Sequence, residues 1–294
     1  GFVRFPTLFL PKTTLMRTVA VFAMFILFNC NKNPKASENL LSASNVDSAS
    51  AKQDPLVDVP MPAKLDSAMR QSFDKETYQE LKKLSKKNVK SFFITKENYL
   101  KMIDDLPVGA DRVSFSFVQF NSGKFPGKYK ELAKFDGLLY MLYSYIDKNG
   151  KNLSDKNYAI LSVKDAVEVS EVDFKVMAED YVTNIKSKID HFVKGTQGNS
   201  LSVRISREDL EAYKARMATK KDIGKFKITL AQWVVFDNFL TKGQSSALSK
   251  KLSYFADENV GQMTFITDCV GANGQNIEDL SGDDMNVLCP NICD

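Results

Sequence analysis

Three short patterns occur twice in this chain, in the same order, and they limit its fold more than any other feature. "FFITKENYLKMI" (92–103) is matched by "VRISREDLEAYK" (203–214). Each reads as a short strand, a capping hydroxyl (Thr95 or Ser206) and then an amphipathic helix. Asp209, three residues after Ser206, makes the second start close to a capping box. "RVSFSFVQF" (112–120) is matched by "KFKITLAQW" (225–233). Both alternate strictly, so Val113, Phe115 and Phe117 share one face, as do Phe226, Ile228 and Leu230, and the alternation ends at Gln119 or Gln232. Finally, "GLLYMLYSYIDKNGKN" (137–152) is matched by "GQMTFITDCVGANGQN" (261–276). Identity is low, but order, period and turn chemistry agree. The pattern predicts an α+β fold of two tandem related units. Each unit would be a strand, a helix and antiparallel strands, with a long helix joining the two.

The third pattern carries Asn149-Gly150 and Asn273-Gly274 between apolar runs. Asn-Gly there favours a two-residue hairpin turn, because both residues tolerate positive φ. A calcium loop is the competing reading of "DKNGKNLSD". That loop needs Gly at its sixth position and a bidentate Glu at its twelfth. Gly150 falls fourth after Asp147, and Tyr158 stands at position twelve. In the second copy Gly271 replaces Asp147, so the leading carboxylate is gone. The turns are expected to hold shape and to bind no metal.

Around these patterns, residues 65–87 are expected to form one helix, with Leu65, Met69, Phe73, Tyr78, Leu81 and Leu84 at helical spacing. Lys82, Lys83, Lys86 and Lys87 would complement its C-terminal dipole. A stripe of Phe174, Met177, Tyr181, Ile185, Ile189 and Phe192 predicts one long helix over about 170–194, capped by Gly195. The second copy carries an insertion at 234–260, expected to be helical at "SSALSKKLSYFA". The expected divisions are a first unit at 63–160, a linking helix within 165–196 and a second unit at 200–294.

Few groups offer chemistry. His191 is the single histidine, and no Gly-x-Ser-x-Gly or His-Glu-x-x-His occurs. Phosphate loops are absent too. The neighbouring carboxylates Asp104–Asp105, Glu179–Asp180 and Asp283–Asp284 read as solvated surface. Trp233, Phe120, Tyr140, Tyr143 and Tyr145 lie on or beside strands and read as core, with sugar stacking the alternative. Forty basic and 36 acidic residues give a net charge of +4, too balanced to imply a nucleic-acid surface. No catalytic residue, metal or cofactor is assigned.

The N-terminal region sets the compartment. From Met16, "MRTVAVFAMFILFNC" places Arg17 before an unbroken apolar run, Val19 to Phe28, too short to span a bilayer. The run stops at Cys30. Here the sequence resembles a bacterial lipoprotein signal, in which that cysteine is lipidated and becomes the mature N-terminus. Leu27 and Cys30 match the pattern, while Asn29 stands where a small residue is usual. The short, Phe-rich form resembles signals of Bacteroidetes-type lipoproteins, and the whole chain, with its terminal Cys-Pro-x-x-Cys, is similar to proteins of that kind, whose activity is unknown. The resemblance implies residues 1–15 upstream of the true start, a signal at 16–29, lipid on Cys30 and a flexible tether over 30–62. Export favours oxidised cysteines. A Cys289–Cys293 disulfide is the first expectation, and Cys269 bonded to one of that pair the second.

Two functions fit. One is a lipid-anchored envelope protein, held at the outer membrane, that binds a protein or glycan partner without catalysis. The other is an envelope hydrolase using a carboxylate pair on polysaccharide. For the anchor, expression in a Gram-negative host with a lipid label should mark the protein, and Cys30→Ser should abolish the label. A mature N-terminus elsewhere would remove the basis for the anchor.

Overall fold

The strand that opens each repeated stretch pairs with the other stretch. The computed structural model describes residues 61–161, 166–220, 222–235, 239, 259–277 and, as backbone alone, 287–289. In chain order the regular elements begin with helices α1 (Ala63–Lys75) and α2 (Thr77–Leu84), strand β1 (Ser91–Thr95), helix α3 (Lys96–Asp104) and strand β2 (Arg112–Gln119). Strands β3 (Leu139–Ile146), β4 (Lys156–Ala159) and β5 (Glu168–Ser170) follow. Helix α4 (Glu171–Tyr181) continues through a π turn (Val182–Lys186) into α5 (Ser187–Ile189) and a 3-10 turn (Asp190–Phe192). The last elements are β6 (Ser202–Ser206), α6 (Arg207–Ala218), β7 (Ile223–Gln232), β8 (Met263–Gly271) and β9 (Val287–Cys289). Two antiparallel sheets result, ordered β1-β7-β8 and β5-β4-β3-β2-β6-β9. The class is α+β.

The two sheets share one register. Thr95 lies opposite Lys225 and Ser91 opposite Thr229. At the matching positions, Ser206 lies opposite Arg112 and Ser202 opposite Ser116. Arg112 then pairs with Ile146 and Gln119 with Leu139, as Lys225 pairs with Val270 and Gln232 with Met263. Hydroxyl caps start both connecting helices. Thr95 accepts from the Asn98 amide at 3.1 Å, and Ser206 from the Asp209 amide at 3.0 Å. The stretches are therefore not arranged as side-by-side units at 63–160 and 200–294. Each sheet draws strands from both, and all described residues lie in one compact unit.

The long helix is part of this exchange rather than a linker. α1 packs on β7 and α4 on β2. Met69, Phe73, Thr77 and Leu81 are buried at four-residue spacing, and so are Met177, Tyr181, Ile185 and Ile189. Two expectations for the helices change. The predicted helix over 65–87 breaks at Glu76 (φ −114°, ψ −89°), which lets the buried Thr77 hydroxyl donate to Gln232 Oε1 at 2.6 Å. Lys86 and Lys87 consequently lie beyond the helix end. The linking helix starts on the Ser170 cap and leaves helical geometry at Val193, before Gly195.

Buried polar groups repeat as well. Asn88 Oδ1 accepts from the Leu139 amide at 3.0 Å, and Asn199 Oδ1 from the Met263 amide at 2.8 Å. Each ties the loop before the opening strand of one sheet to the start of a strand in the other sheet, β3 for Asn88 and β8 for Asn199. Leaving such an amide unpaired would cost about 1–3 kcal/mol. Gly137 and Gly261 both have positive φ and donate to the carbonyls of Phe120 and Trp233 at 2.7 and 2.9 Å. At Gly261 a Cβ would stand 2.0 Å from the Phe192 carbonyl oxygen, so no other residue fits.

The sheets meet where Phe115 packs edge-on to Phe265, ring centroids 5.1 Å apart. Tyr99 of α3 stacks on Phe226 at 4.2 Å and meets Tyr213 of α6 edge-on. The predicted apolar sets are all buried: Val113, Phe115 and Phe117 on β2, and Phe226, Ile228 and Leu230 on β7. No helix among the described residues is long and apolar enough to cross a membrane. The predicted helix at 245–256 lies outside the described residues.

Candidate functional site: the hairpin ends and the open strand edge

Both Asn-Gly hairpins close in the same way. The Asp147 amide donates to the Lys151 carbonyl (3.0 Å) and the Gly150 amide to the Asp147 carbonyl (3.0 Å). The matching bonds from Gly271 to Gln275 and from Gly274 to Gly271 are 2.8 and 2.9 Å. This is a three-residue loop ending in a left-handed glycine, with φ of 79° at Gly150 and 82° at Gly274. The two-residue turn expected from Asn-Gly is corrected here, since Asn149 and Asn273 do not take positive φ. In the first loop Asp147 Oδ1 accepts from the amides of Asn149 (2.9 Å) and Lys151 (2.8 Å). In the second, Asn273 Oδ1 accepts from the Gln275 amide at 3.0 Å. Among the described residues no group of three His, Cys, Asp or Glu could hold a metal ion.

What surrounds the loops differs. Arg204 of β6 lays its guanidinium on the first, so that a Cβ at Gly150 would stand 3.0 Å from Arg204 Nη2. Burial lowers the pKa of Arg204, and the nearby charge of Arg112 lowers it further. In the three-stranded sheet the matching positions hold Phe93 and Lys225, whose ammonium sits 4.5 Å from the Phe93 ring centroid. Gly274 has open space around it. A cavity of about 720 Å3 opens beside that second loop, lined among others by Thr219, Asp222, Asn273, Gln275 and Asn276.

β1 is an edge of its sheet. The Lys90 carbonyl accepts from the Leu230 amide at 2.8 Å. By the alternation of an antiparallel ladder, Phe92 and Ile94 bond to β7, while the backbone groups of Ser91 and Phe93 point away from the sheet. On β6 the matching residues, Ser202 and Arg204, pair with Cys289 and Val287 of β9. Thus the same edge is covered by a strand in one sheet and, among the described residues, by none in the other.

The remaining sequence candidates are scattered. Asp104 pairs with Lys214, Asp105 with Lys101 and Asp180 with Lys124. Glu179 is exposed, and Asp283–Asp284 lie outside the described residues. His191 is exposed on the last turn of the long helix. Trp233, Phe120, Tyr140, Tyr143 and Tyr145 are all buried. Burial pushes the phenol pKa values of Tyr140, Tyr143 and Tyr145 upward, as expected of core tyrosines. Cys269 is buried, with its Sγ 3.0 Å from the Tyr213 hydroxyl oxygen. Only the backbone of Cys289 is described, and Cys30 and Cys293 lie outside the described residues.

Sequence reading missed Arg112, Arg204 and the β1 edge. The signal was present in the recurrence itself, because aligning the copies sets Arg204 against Phe93 and Arg112 against Lys225. Comparison with known protein families, with curated proteins and with solved structures finds no match to this chain.

The loops give a graded test. Gly274→Val should lose about 1–3 kcal/mol, the strain of a left-handed β-branched residue. Gly150→Val should lose more, because it also displaces the Arg204 guanidinium. Urea unfolding measures both, and calcium should leave the midpoints unchanged. Equal losses, or a calcium-dependent rise, would contradict this geometry.

Proposed function

We propose that the chain is a lipid-anchored cell-envelope module that binds a protein partner without catalysis, taking an extended segment of it on the outer edge of β1. The observation that carries this reading is the contrast between the two edges. β6 accepts Val287–Cys289 as an added strand, while β1 offers the same register with nothing beside it among the described residues. An exposed edge supplies main-chain hydrogen bonds to an incoming strand. Phe93 is exposed on that edge and adds an apolar contact, with Lys225 against its ring. A glycan partner is less well supported, because the strand aromatics that could stack on sugars are buried. The hydrolase alternative draws little support from carboxylates held in separate ion pairs with Lys214, Lys101 and Lys124. The anchor rests on Cys30 and the tether that follows it.

A synthetic peptide spanning residues 284–291, with Cys289→Ser, is the probe, since it carries the strand that β6 already accepts. Its addition should slow amide hydrogen exchange at Ser91 and Phe93. Phe93→Pro should abolish the protection at Ser91 while leaving the fold intact, because the Phe93 amide makes no ladder bond to β7. Unchanged exchange at both amides would refute strand addition at this edge.

A further inference from the structure

We propose that Arg112 and Arg204 form a binding site for an oxyanion, a carboxylate or phosphate group, at the Asn149-Gly150 end of the six-stranded sheet. This site lies on a different sheet from the β1 edge and stands independently of the partner reading.

The two arginines are brought together by register. Arg204 lies opposite Ser114, and Arg112 is two residues from Ser114 on the same strand. They are therefore diagonal neighbours on one face of the sheet, within reach of long side chains. Like charges so placed repel, and the Arg204 guanidinium loses hydration through burial. Nε and Nη1 of Arg204 are fully buried and make no hydrogen bond, and neither arginine has an ion-pair partner among the described residues. The closest carboxylate in the loop, that of Asp147, uses Oδ1 to accept from its own loop amides. A buried charged donor with no acceptor is costly, more so than a neutral one.

The molecule contains its own control. In the three-stranded sheet the same two positions hold Phe93 and Lys225, which satisfy each other by a cation–π contact at 4.5 Å. The same register and the same hairpin geometry form there without a guanidinium. The arginine pair is thus no requirement of the fold, and its unpaired donors point to a ligand that supplies the acceptors. Two planar guanidinium forks match the oxygens of a carboxylate or phosphate in bidentate geometry. The loop packs against one side of the Arg204 guanidinium at Gly150, where a Cβ would stand 3.0 Å from Nη2.

The test follows thermal unfolding of the full chain in sodium phosphate, sodium acetate and sodium chloride at matched ionic strength. Phosphate or acetate should raise the melting temperature above that in chloride. The more effective anion tells whether a phosphate-bearing or carboxylate-bearing ligand is accommodated. Arg204→Gln should weaken the anion's binding, measured by calorimetry, at least about tenfold, the loss of one charge-assisted hydrogen-bond pair. Arg112→Lys/Arg204→Phe, which copies the other sheet, should lose the response and melt no lower than the wild type in chloride. The proposal is overturned if neither anion raises the wild-type melting temperature, or if Arg204→Gln retains the response. If the double variant does not fold, Arg204→Gln alone decides.

Discussion

The structure depends on the antiparallel pairing of β1 with β7 and of β6 with β2. These two ladders carry each opening strand across to the other stretch, and the rest of the architecture follows. α1 must lie over β7 because β1 is there, and α4 over β2 for the same reason. α3 and α6 then cross between the sheets and meet through Tyr99 and Tyr213. Phe115 and Phe265 can meet edge-on only once both sheets are assembled. Neither stretch contains the hydrogen-bonding partner of its own first strand, so its edge groups would remain unpaired in isolation. The apolar face of each long helix also finds its cover in the opposite stretch.

Within this shared frame, matching places have diverged. The Arg70 guanidinium makes two bonds to the nearly fully buried Asp268, at 3.0 and 2.7 Å. At the matching place in the six-stranded sheet stand Ser144 on β3 and Ala178 on α4. The ion pair between Arg70 and Asp268 therefore has no counterpart at the matching positions of the other sheet. The opposite holds at the hairpin ends, where Phe93 and Lys225 are mutually satisfied while Arg112 and Arg204 are not. β6 carries a third strand on an edge that β1 leaves uncovered among the described residues. Because the two halves share one backbone plan, such differences separate what the fold needs from what has been added to it.

Much of the local structure was legible in the sequence. Alternation placed Val113, Phe115, Phe117, Phe226, Ile228 and Leu230 in the core. The hydroxyls of Thr95 and Ser206 marked two helix starts, and Gly150 and Gly274 marked the loops. Partner choice was not legible, since alternation assigns a face to a side chain and says nothing about which strand lies beside it. The helix at 171–192 read as a connector for the same reason. Its stripe gives a buried face but not the surface that it covers. The break at Glu76 was hidden because Tyr78, Leu81 and Leu84 keep helical spacing across it, while the bend serves a distant contact from Thr77 to Gln232. Arg204 drew no attention in a strand of mixed character, and only its setting against Phe93 gives it meaning.

The exchange of opening strands is tested most directly by dividing the chain between β4 and β5. Residues 61–161 and 166–294, produced separately, should each lack a cooperative thermal transition, because each is missing the partner of its first strand and the cover for its first helix. Mixed in equal amounts, they should recover a single transition near that of the intact chain. A cooperative transition in either piece alone, unchanged on mixing, would contradict the interlocked fold.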